Sequence, residues 1–130
     1  MDTVLYLLGR QIKVPVFATF RYKESDPFAV SIDFIFDGTV TSWKFARELI
    51  KEGLRQPSGQ GDITIWTAAN DAKSYSIYFR LHSTEGVTIM EGDFHSISQW
   101  LEQSYMIIPC GAESLSIDWE VILRKFFEKD

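Results

Sequence analysis

Residues 28–38 read Phe28-Ala29-Val30-Ser31-Ile32-Asp33-Phe34-Ile35-Phe36-Asp37-Gly38, and this stretch decides the fold. Apolar and polar side chains alternate along it, which is the pattern of a strand with one buried face. Asp37-Gly38 is a strong hairpin signal because both residue types tolerate the positive φ of a tight two-residue turn. We therefore predict a strand over Phe28–Phe36 and an antiparallel return over Thr39–Phe45.

Further strands are predicted on both sides of this hairpin. Upstream, the same alternation runs through Thr3–Leu8 and Lys13–Tyr22. Downstream it returns after a polar loop, and the strands predicted there are Asp62–Thr67, Tyr75–Leu81 and Gly86–Glu91. The last two form a second hairpin that turns at His82–Glu85, and the polar loop is Arg55–Gly61.

Apolar side chains spaced three or four residues apart predict three helices. The first is short, ends at Gly53 and turns its charged side chains outward, namely Arg47, Glu48, Lys51 and Glu52. The second has Ser96 as its N-cap and an apolar stripe of Ile97, Trp100 and Leu101. The third follows Ser116 with a stripe of Trp119, Ile122, Leu123 and Phe126.

These elements define the fold class as α+β, with about seven mainly antiparallel strands and three helices. Hairpins rather than crossover helices connect the strands, so we expect the domain to be built around an antiparallel sheet. The length of 130 residues suits one core, and residues 1–130 are therefore predicted to form a single domain.

Composition excludes several classes of protein. One cysteine and two histidines cannot build a disulfide framework or a multi-cysteine metal site, so we expect no metal and no cofactor. The net charge is −5, and residues 82–130 hold only 3 Lys and Arg against 9 Asp and Glu. Such a balance disfavours binding to the phosphate backbone of a nucleic acid.

Targeting signals are also missing from the sequence. The apolar run near Met1 is short and follows an acidic residue, and no segment has eighteen continuous apolar residues. We therefore expect a cytoplasmic protein without membrane insertion, which agrees with its single thiol.

No catalytic constellation emerges, and we predict that the chain is not an enzyme. A Cys110–His95 nucleophile pair is formally possible, but it matches no local signature of a thiol hydrolase. The glycines of Pro57–Asp62 lead into a strand, unlike those of a phosphate-binding loop. Carboxylate pairs flank predicted elements, where capping or solvent exposure is their ordinary role; they are Glu91/Asp93 and Asp118/Glu120.

Two aromatic or apolar segments leave alternatives open. Tyr75, Tyr78 and Phe79 beside Arg80 could stack the bases of a single-stranded nucleic acid, or they could simply pack on the sheet. Tyr105-Met106-Ile107-Ile108 could be buried core, or it could be an apolar contact surface.

The motifs of the chain resemble those of the SsgA-like proteins of sporulating actinomycetes over residues 12–127. In chain order the matching motifs are Val14-Pro15-Val16, Arg21-Tyr22, Asp26–Val30, Trp43–Leu49, Glu52–Asp62, Trp66, Ser83–Gly86, Pro109, Gly111, Glu113 and Asp118.

This resemblance implies a small non-enzymatic regulator of sporulation-specific cell division, recruited to the septum. It implies protein partners, such as the tubulin-like division protein FtsZ, the machinery of septal and spore-wall peptidoglycan, or another SsgA-like protein. It further implies a homotrimer whose strands form a curved sheet or barrel-like core, similar to the fold of the whirly-type proteins. Those proteins bind single-stranded nucleic acid, although the family itself is not expected to do so.

The second predicted helix departs from the family pattern. Family members usually carry Phe-Leu, a variable residue and Arg-Thr, whereas this chain has Trp100-Leu101-Glu102-Gln103-Ser104. Loss of the arginine removes a bidentate donor for a carboxylate. We therefore take as candidate partner-binding residues Gln103, Tyr105, Met106 and Ile107.

Overall fold

Eight strands form one curled antiparallel sheet in the computed structural model, which describes residues 1–116. The elements are β1 (Asp2–Leu8), β2 (Lys13–Tyr22), β3 (Ala29–Phe36), β4 (Thr39–Ala46), α1 (Arg47–Gly53), β5 (Ser58–Gln60), β6 (Ile63–Ala69), β7 (Tyr75–Ser83), β8 (Gly86–Asp93) and α2 (Phe94–Ile107). In chain order, α1 comes between β4 and β5, and α2 follows β8. A 3-10 turn at Glu113–Ser116 follows α2. The order of the strands across the sheet is β4-β3-β2-β1-β8-β7-β6-β5.

The predicted α+β class and the curved antiparallel sheet are confirmed, but the count of seven strands is wrong. The additional strand is β5, which lies within the segment predicted as a polar loop and pairs with β6 from Ser58↔Ile65 to Gln60↔Ile63. A three-residue edge strand without apolar alternation leaves no pattern to detect. The third predicted helix, which follows Ser116 and carries the stripe of Trp119, Ile122, Leu123 and Phe126, lies outside the described residues.

The hairpin of β3 and β4 confirms the prediction made from Asp37-Gly38. Both turn residues have positive φ, 50° for Asp37 and 75° for Gly38, as a type I′ turn requires. The register runs from Phe36↔Thr39 beside the turn to Ala29↔Ala46 at the far end. The turn therefore sets the pairing that puts the apolar side chains of β3 on the buried face.

Two predicted boundaries are wrong by a few residues. The second helix begins at Phe94, and its N-cap is Asp93 rather than Ser96. The Asp93 carboxylate accepts a hydrogen bond of 2.8 Å from the Ser96 backbone N–H, so Ser96 is the residue being capped. The turn between β7 and β8 is also shorter than predicted, because β7 reaches Ser83 and β8 starts at Gly86.

The hydrophobic core fills the concave side of the sheet, where α1 and α2 pack. The Trp100 ring on α2 meets the buried Phe20 ring edge-on at 5.4 Å. The end of α1 approaches β6 so closely that a Cβ atom on Gly53 would lie 2.6 Å from Cγ2 of Ile65. Glycine is therefore required where α1 meets the sheet. The buried strand residues of the core include Leu5, Val16, Phe20, Val30, Ile32, Phe34, Ile65, Ile77 and Phe79.

Side-chain hydrogen bonds to Glu91 join the two four-stranded halves of the sheet. They lie where β1 pairs with β8, a place that we call the seam. The paired residues there are only Tyr6↔Glu91 and Leu7↔Met90. Glu91 is 6% exposed, and it accepts hydrogen bonds from Lys13 Nζ at 2.7 Å and from the Tyr78 hydroxyl at 2.9 Å. Burial opposes ionisation of Glu91, but the bonds from Lys13, Tyr78 and Ser76 outweigh it and lower the pKa. The charged form of Glu91 therefore stabilises the seam.

We expect the stability of the seam to depend on pH. The pKa of Glu91 is lower in the folded chain than its ordinary value of 4.5. Ionised Glu91 therefore adds to the free energy of unfolding above pH 4.5, and this stabilisation is lost as the pH falls through the folded-state pKa. The slope for one such group reaches about 1.4 kcal/mol per pH unit. Glu91→Gln should lower the free energy of unfolding by about 1–3 kcal/mol at neutral pH. The free energy of unfolding of the variant should also decrease less steeply as the pH falls. Urea titrations at several pH values check this; equal acid slopes in the variant and the wild type would contradict it.

Candidate protein-interaction site

A buried arginine ties together the elements around the end of α2. Arg47 is the first residue of α1 and is only 1% exposed. Its Nη1 donates to the Ser104 carbonyl on α2 at 3.0 Å, and its Nη2 meets Oε1 of Glu113 at 3.0 Å. Its guanidinium carbon lies 4.5 Å from the centre of the Tyr22 ring and 3.9 Å from that of Tyr105. One side chain thus fixes α1, the last turns of α2 and the 3-10 turn.

The prediction that Arg47 points outward is therefore wrong. Arg47, Ile50 and Leu54 recur at the spacing of one helix face, and that face is the one turned toward the core. The guanidinium is accommodated because a carboxylate, a carbonyl and two rings surround it. Arg47 is the main residue of this region that sequence reasoning missed, although its spacing relative to Ile50 could have revealed it.

The surroundings of Arg47 also perturb two titratable groups. Burial raises the pKa of Tyr105 to about 12, although the charge of Arg47 opposes this. The pKa of Glu113 is lowered by a backbone hydrogen bond first, and by the hydrogen bond from Arg47 in addition, against a smaller effect of burial. Near neutral pH the tyrosine therefore stays protonated and the carboxylate stays charged.

All four candidate partner-binding residues lie on the last turns of α2, which continues through Ile107. Tyr105 packs on Arg47 and is half-buried, and Ile108 is 6% exposed, which fits the buried-core interpretation for those two residues. Met106 is 80% exposed and Ile107 is 53% exposed, so the contact-surface interpretation fits them instead. We call Met106 and Ile107 the α2 patch. Gln103 is also exposed.

A second apolar surface crosses the outer face of β1 to β4. Val4, Phe17, Ile35 and Val40 are successive cross-strand neighbours, and we call them the outer row. Phe17 is 69% exposed, Val40 59% and Ile35 43%. These residues share their face with polar neighbours, so alternation alone assigned no role to them. Contiguous exposed apolar side chains are typical of interaction surfaces.

The structure separates the proposed Cys110–His95 pair. His95 lies in the first turn of α2 and Cys110 follows its end, and a 14-residue helix is about 21 Å long. Lys51 instead donates a hydrogen bond of 3.2 Å to the exposed Cys110 thiol. The thiol therefore has no general base in His95.

The other chemical candidates have structural positions. Asp93 caps α2 and Glu91 holds the seam, whereas Asp118 and Glu120 lie outside the described residues. Gly59 belongs to β5 rather than to a phosphate-binding loop. Within residues 1–116, no group of three His, Cys, Asp or Glu side chains could hold a metal ion. In the same range, no helix is long and apolar enough to span a membrane.

The alternative of a base-stacking platform finds no support. Phe79 is completely buried, and the Tyr78 ring is already stacked on Trp66 with ring centres 5.5 Å apart. The Tyr78 hydroxyl donates to the Glu91 carboxylate, which would repel a phosphate. Tyr75 is exposed but leans against Phe94 at the start of α2.

Comparison with known proteins assigns the chain to a family. Residues 16–113 match the family model described as Streptomyces sporulation and cell division protein, SsgA. The sporulation-specific cell division protein SsgB of Frankia casuarinae is 37% identical over 111 residues, which cover 85% of this chain and 77% of the relative. SsgB of Streptomyces coelicolor is 30% identical over 113 residues, covering 86% of this chain and 82% of the relative.

Solved structures agree with the sequence relatives. An SsgA-like sporulation-specific cell division protein from Thermobifida fusca superposes with a TM-score of 0.86 at 29% identity, covering 97% of this chain and 93% of that one. The SsgB structure from Streptomyces coelicolor superposes with a TM-score of 0.84 at 28% identity, covering 90% and 93%. The chain therefore belongs to the SsgA family of sporulation and cell division proteins.

Proposed function

We propose that the chain is a non-enzymatic adaptor that acts through protein contacts at the septum of sporulating cells. The observation that carries this proposal is the family match over residues 16–113, together with curated relatives that are sporulation-specific cell division proteins. In this proposal the chain works in the cytoplasm as a single domain over residues 1–130. It recruits FtsZ, acts on the septal or spore-wall peptidoglycan machinery, or binds another SsgA-like protein.

The α2 patch is the surface that we assign to the partner. Met106 and Ile107 expose apolar side chains, and methionine adapts its shape to a partner at modest cost. Arg47 holds the backbone beneath the patch by its bond to the Ser104 carbonyl, so the patch is presented on a rigid support. A preorganised apolar surface binds with less loss of conformational entropy than a mobile one.

We further propose a homotrimer, with a partner copy covering the outer row. Its apolar residues cross four adjacent strands, which is a surface suited to another copy of the sheet. The similarity to the whirly-type fold remains a prediction in the same way. Neither proposal requires a nucleic acid, and the net charge of −5 disfavours one.

Replacing Met106 with aspartate should weaken binding to purified FtsZ by at least about tenfold, because a charge would be buried at the centre of the contact. Gln99→Asp is the matched control, since Gln99 is an exposed residue of the same helix and the substitution adds the same charge. Its affinity should stay within about twofold of the wild type. Sedimentation with FtsZ polymers measures both affinities.

Two results would count against the proposal. Equal binding by Met106→Asp and Gln99→Asp would remove the α2 patch as the partner surface. A wild-type chain that sediments with neither FtsZ nor any other division protein would remove the adaptor function. Tyr105→Asp is a poorer probe, because Tyr105 packs on Arg47 and its loss would disturb the fold.

A further inference from the structure

A cleft of about 510 Å³ opens at the end of the concave face opposite to the helices. The hairpin turns Asp37-Gly38 and Thr84-Glu85 border it. Phe36 lies on the same side of β3 as the buried Phe34, yet it is 55% exposed because this part of the concave face has no cover among residues 1–116. The apolar residues that line the cleft are Leu7, Val16, Phe34, Phe36, Trp43, Leu81 and Met90.

The free edge of β4 runs along this cleft. Thr39 pairs with Phe36 across a two-residue turn, so these two residues exchange both backbone hydrogen bonds. Pairs alternate along an antiparallel ladder, and the backbone groups of Val40, Ser42 and Lys44 therefore point away from β3. Within residues 1–116, β4 has no strand on that side. An exposed edge of this kind is a template for an added strand.

The side chains of β4 show where an added strand would place its own. Thr39, Thr41 and Trp43 face the cleft. Alternate side chains of a strand paired with β4 would point the same way and cover the apolar lining. The outward amides supply affinity in such a complex, and the cleft selects apolar side chains at every second position.

The charge at the mouth of the cleft adds a further requirement. Asp37 and Glu85 belong to its lining, and no Lys or Arg does among the described residues. Two carboxylates without a cation favour a basic residue in the occupant. We propose that this cleft binds an extended segment of a partner protein, with alternating apolar residues and a Lys or Arg that meets Asp37 and Glu85. This inference rests on the proposed adaptor function, and it names the chemistry of a partner segment.

The test starts from a displayed library of random twelve-residue peptides, selected on the purified full-length chain. We expect enrichment of peptides with apolar residues at alternate positions and a Lys or Arg near one end. A fluorescein-labelled synthetic copy of the leading peptide is then titrated by anisotropy. No enrichment, enrichment of apolar residues at helical spacing, or enrichment of acidic peptides would overturn the proposal.

Two sets of variants locate the binding. Ser42→Pro removes an outward N–H on the edge strand and should weaken peptide binding by at least about tenfold. Ser42→Ala loses the same side-chain hydroxyl but keeps that N–H, and it should change the affinity by less than about twofold. Asp37 and Glu85 lie on exposed turns, and we combine Asp37→Asn with Glu85→Gln in one variant. This variant should bind the peptide about fivefold more weakly at low salt. If the paired turn variant and Ser42→Pro both bind the peptide like the wild type, the cleft is not the site.

Other occupants give distinct results. If Ser42→Pro, but not Ser42→Ala, changes the oligomeric state in sedimentation velocity, a second copy pairs with β4 and the proposal is wrong. The adaptor function is tested separately, by comparing the binding of the wild-type chain and Met106→Asp to FtsZ. A wild-type chain that selects no peptide but still binds FtsZ would thus remove the cleft proposal and leave the adaptor function.

Discussion

Replacing Arg47 with alanine should lower the free energy of unfolding by about 3–5 kcal/mol. Alanine would leave a cavity where the largest fully buried side chain of the described chain now lies. It would also remove the hydrogen bond to the Ser104 carbonyl, the ion pair with Glu113 and the ring contacts of Tyr22 and Tyr105. Urea denaturation monitored by tryptophan fluorescence measures the change.

Two controls separate the location of Arg47 from its charge. Arg55 is 68% exposed and pairs with Glu52 on the surface. Arg55→Ala should therefore lower the free energy of unfolding by less than about 0.5 kcal/mol. Arg47→Lys keeps the charge but loses the planar guanidinium that reaches both Ser104 and Glu113. Its loss of unfolding free energy should lie between those of Arg55→Ala and Arg47→Ala. If Arg47→Ala were as mild as Arg55→Ala, the buried network would not hold these elements together.

The strands β2 and β3 could be predicted because each carries one largely buried and one more exposed face. In β3 the alternation and the Asp37-Gly38 turn agree, and a single register satisfies both. The α2 helix could be predicted for the same reason, since Ile97 and Leu101 repeat at the helical period and are both buried. Local pattern and tertiary burial coincide in these elements.

The remainder depends on contacts between residues distant in sequence. β5 exists because β6 offers an edge, and the β1–β8 seam is held by Lys13 and Glu91, which are 78 positions apart. Arg47 is buried because Ser104 and Glu113 come to it from the other end of the chain. Periodicity reports one element at a time, and it therefore does not reveal these partners. The α2 patch was named from the sequence, whereas the outer row and the cleft became visible only in the assembled sheet.

Deleting the gene in its native host should remove or misplace most sporulation septa. An adaptor that brings division proteins to the septum has no catalytic turnover, so its loss removes the contact itself. Wild-type protein supplied in trans should restore the septa. Gln99→Asp should restore them too, because Gln99 lies two helical turns, about 10 Å, before Met106 and outside the α2 patch. Met106→Asp should accumulate to the wild-type level and yet fail to restore them.

The most direct measurement is the number and spacing of septa along sporulating hyphae stained for membrane and cell wall, in the deletion strain and its complemented derivatives. The account predicts sparse or irregular septa in the deletion strain, recovery with Gln99→Asp, and no recovery with Met106→Asp. Regular septa at wild-type spacing in the deletion strain would contradict the assignment of this chain as a septal adaptor.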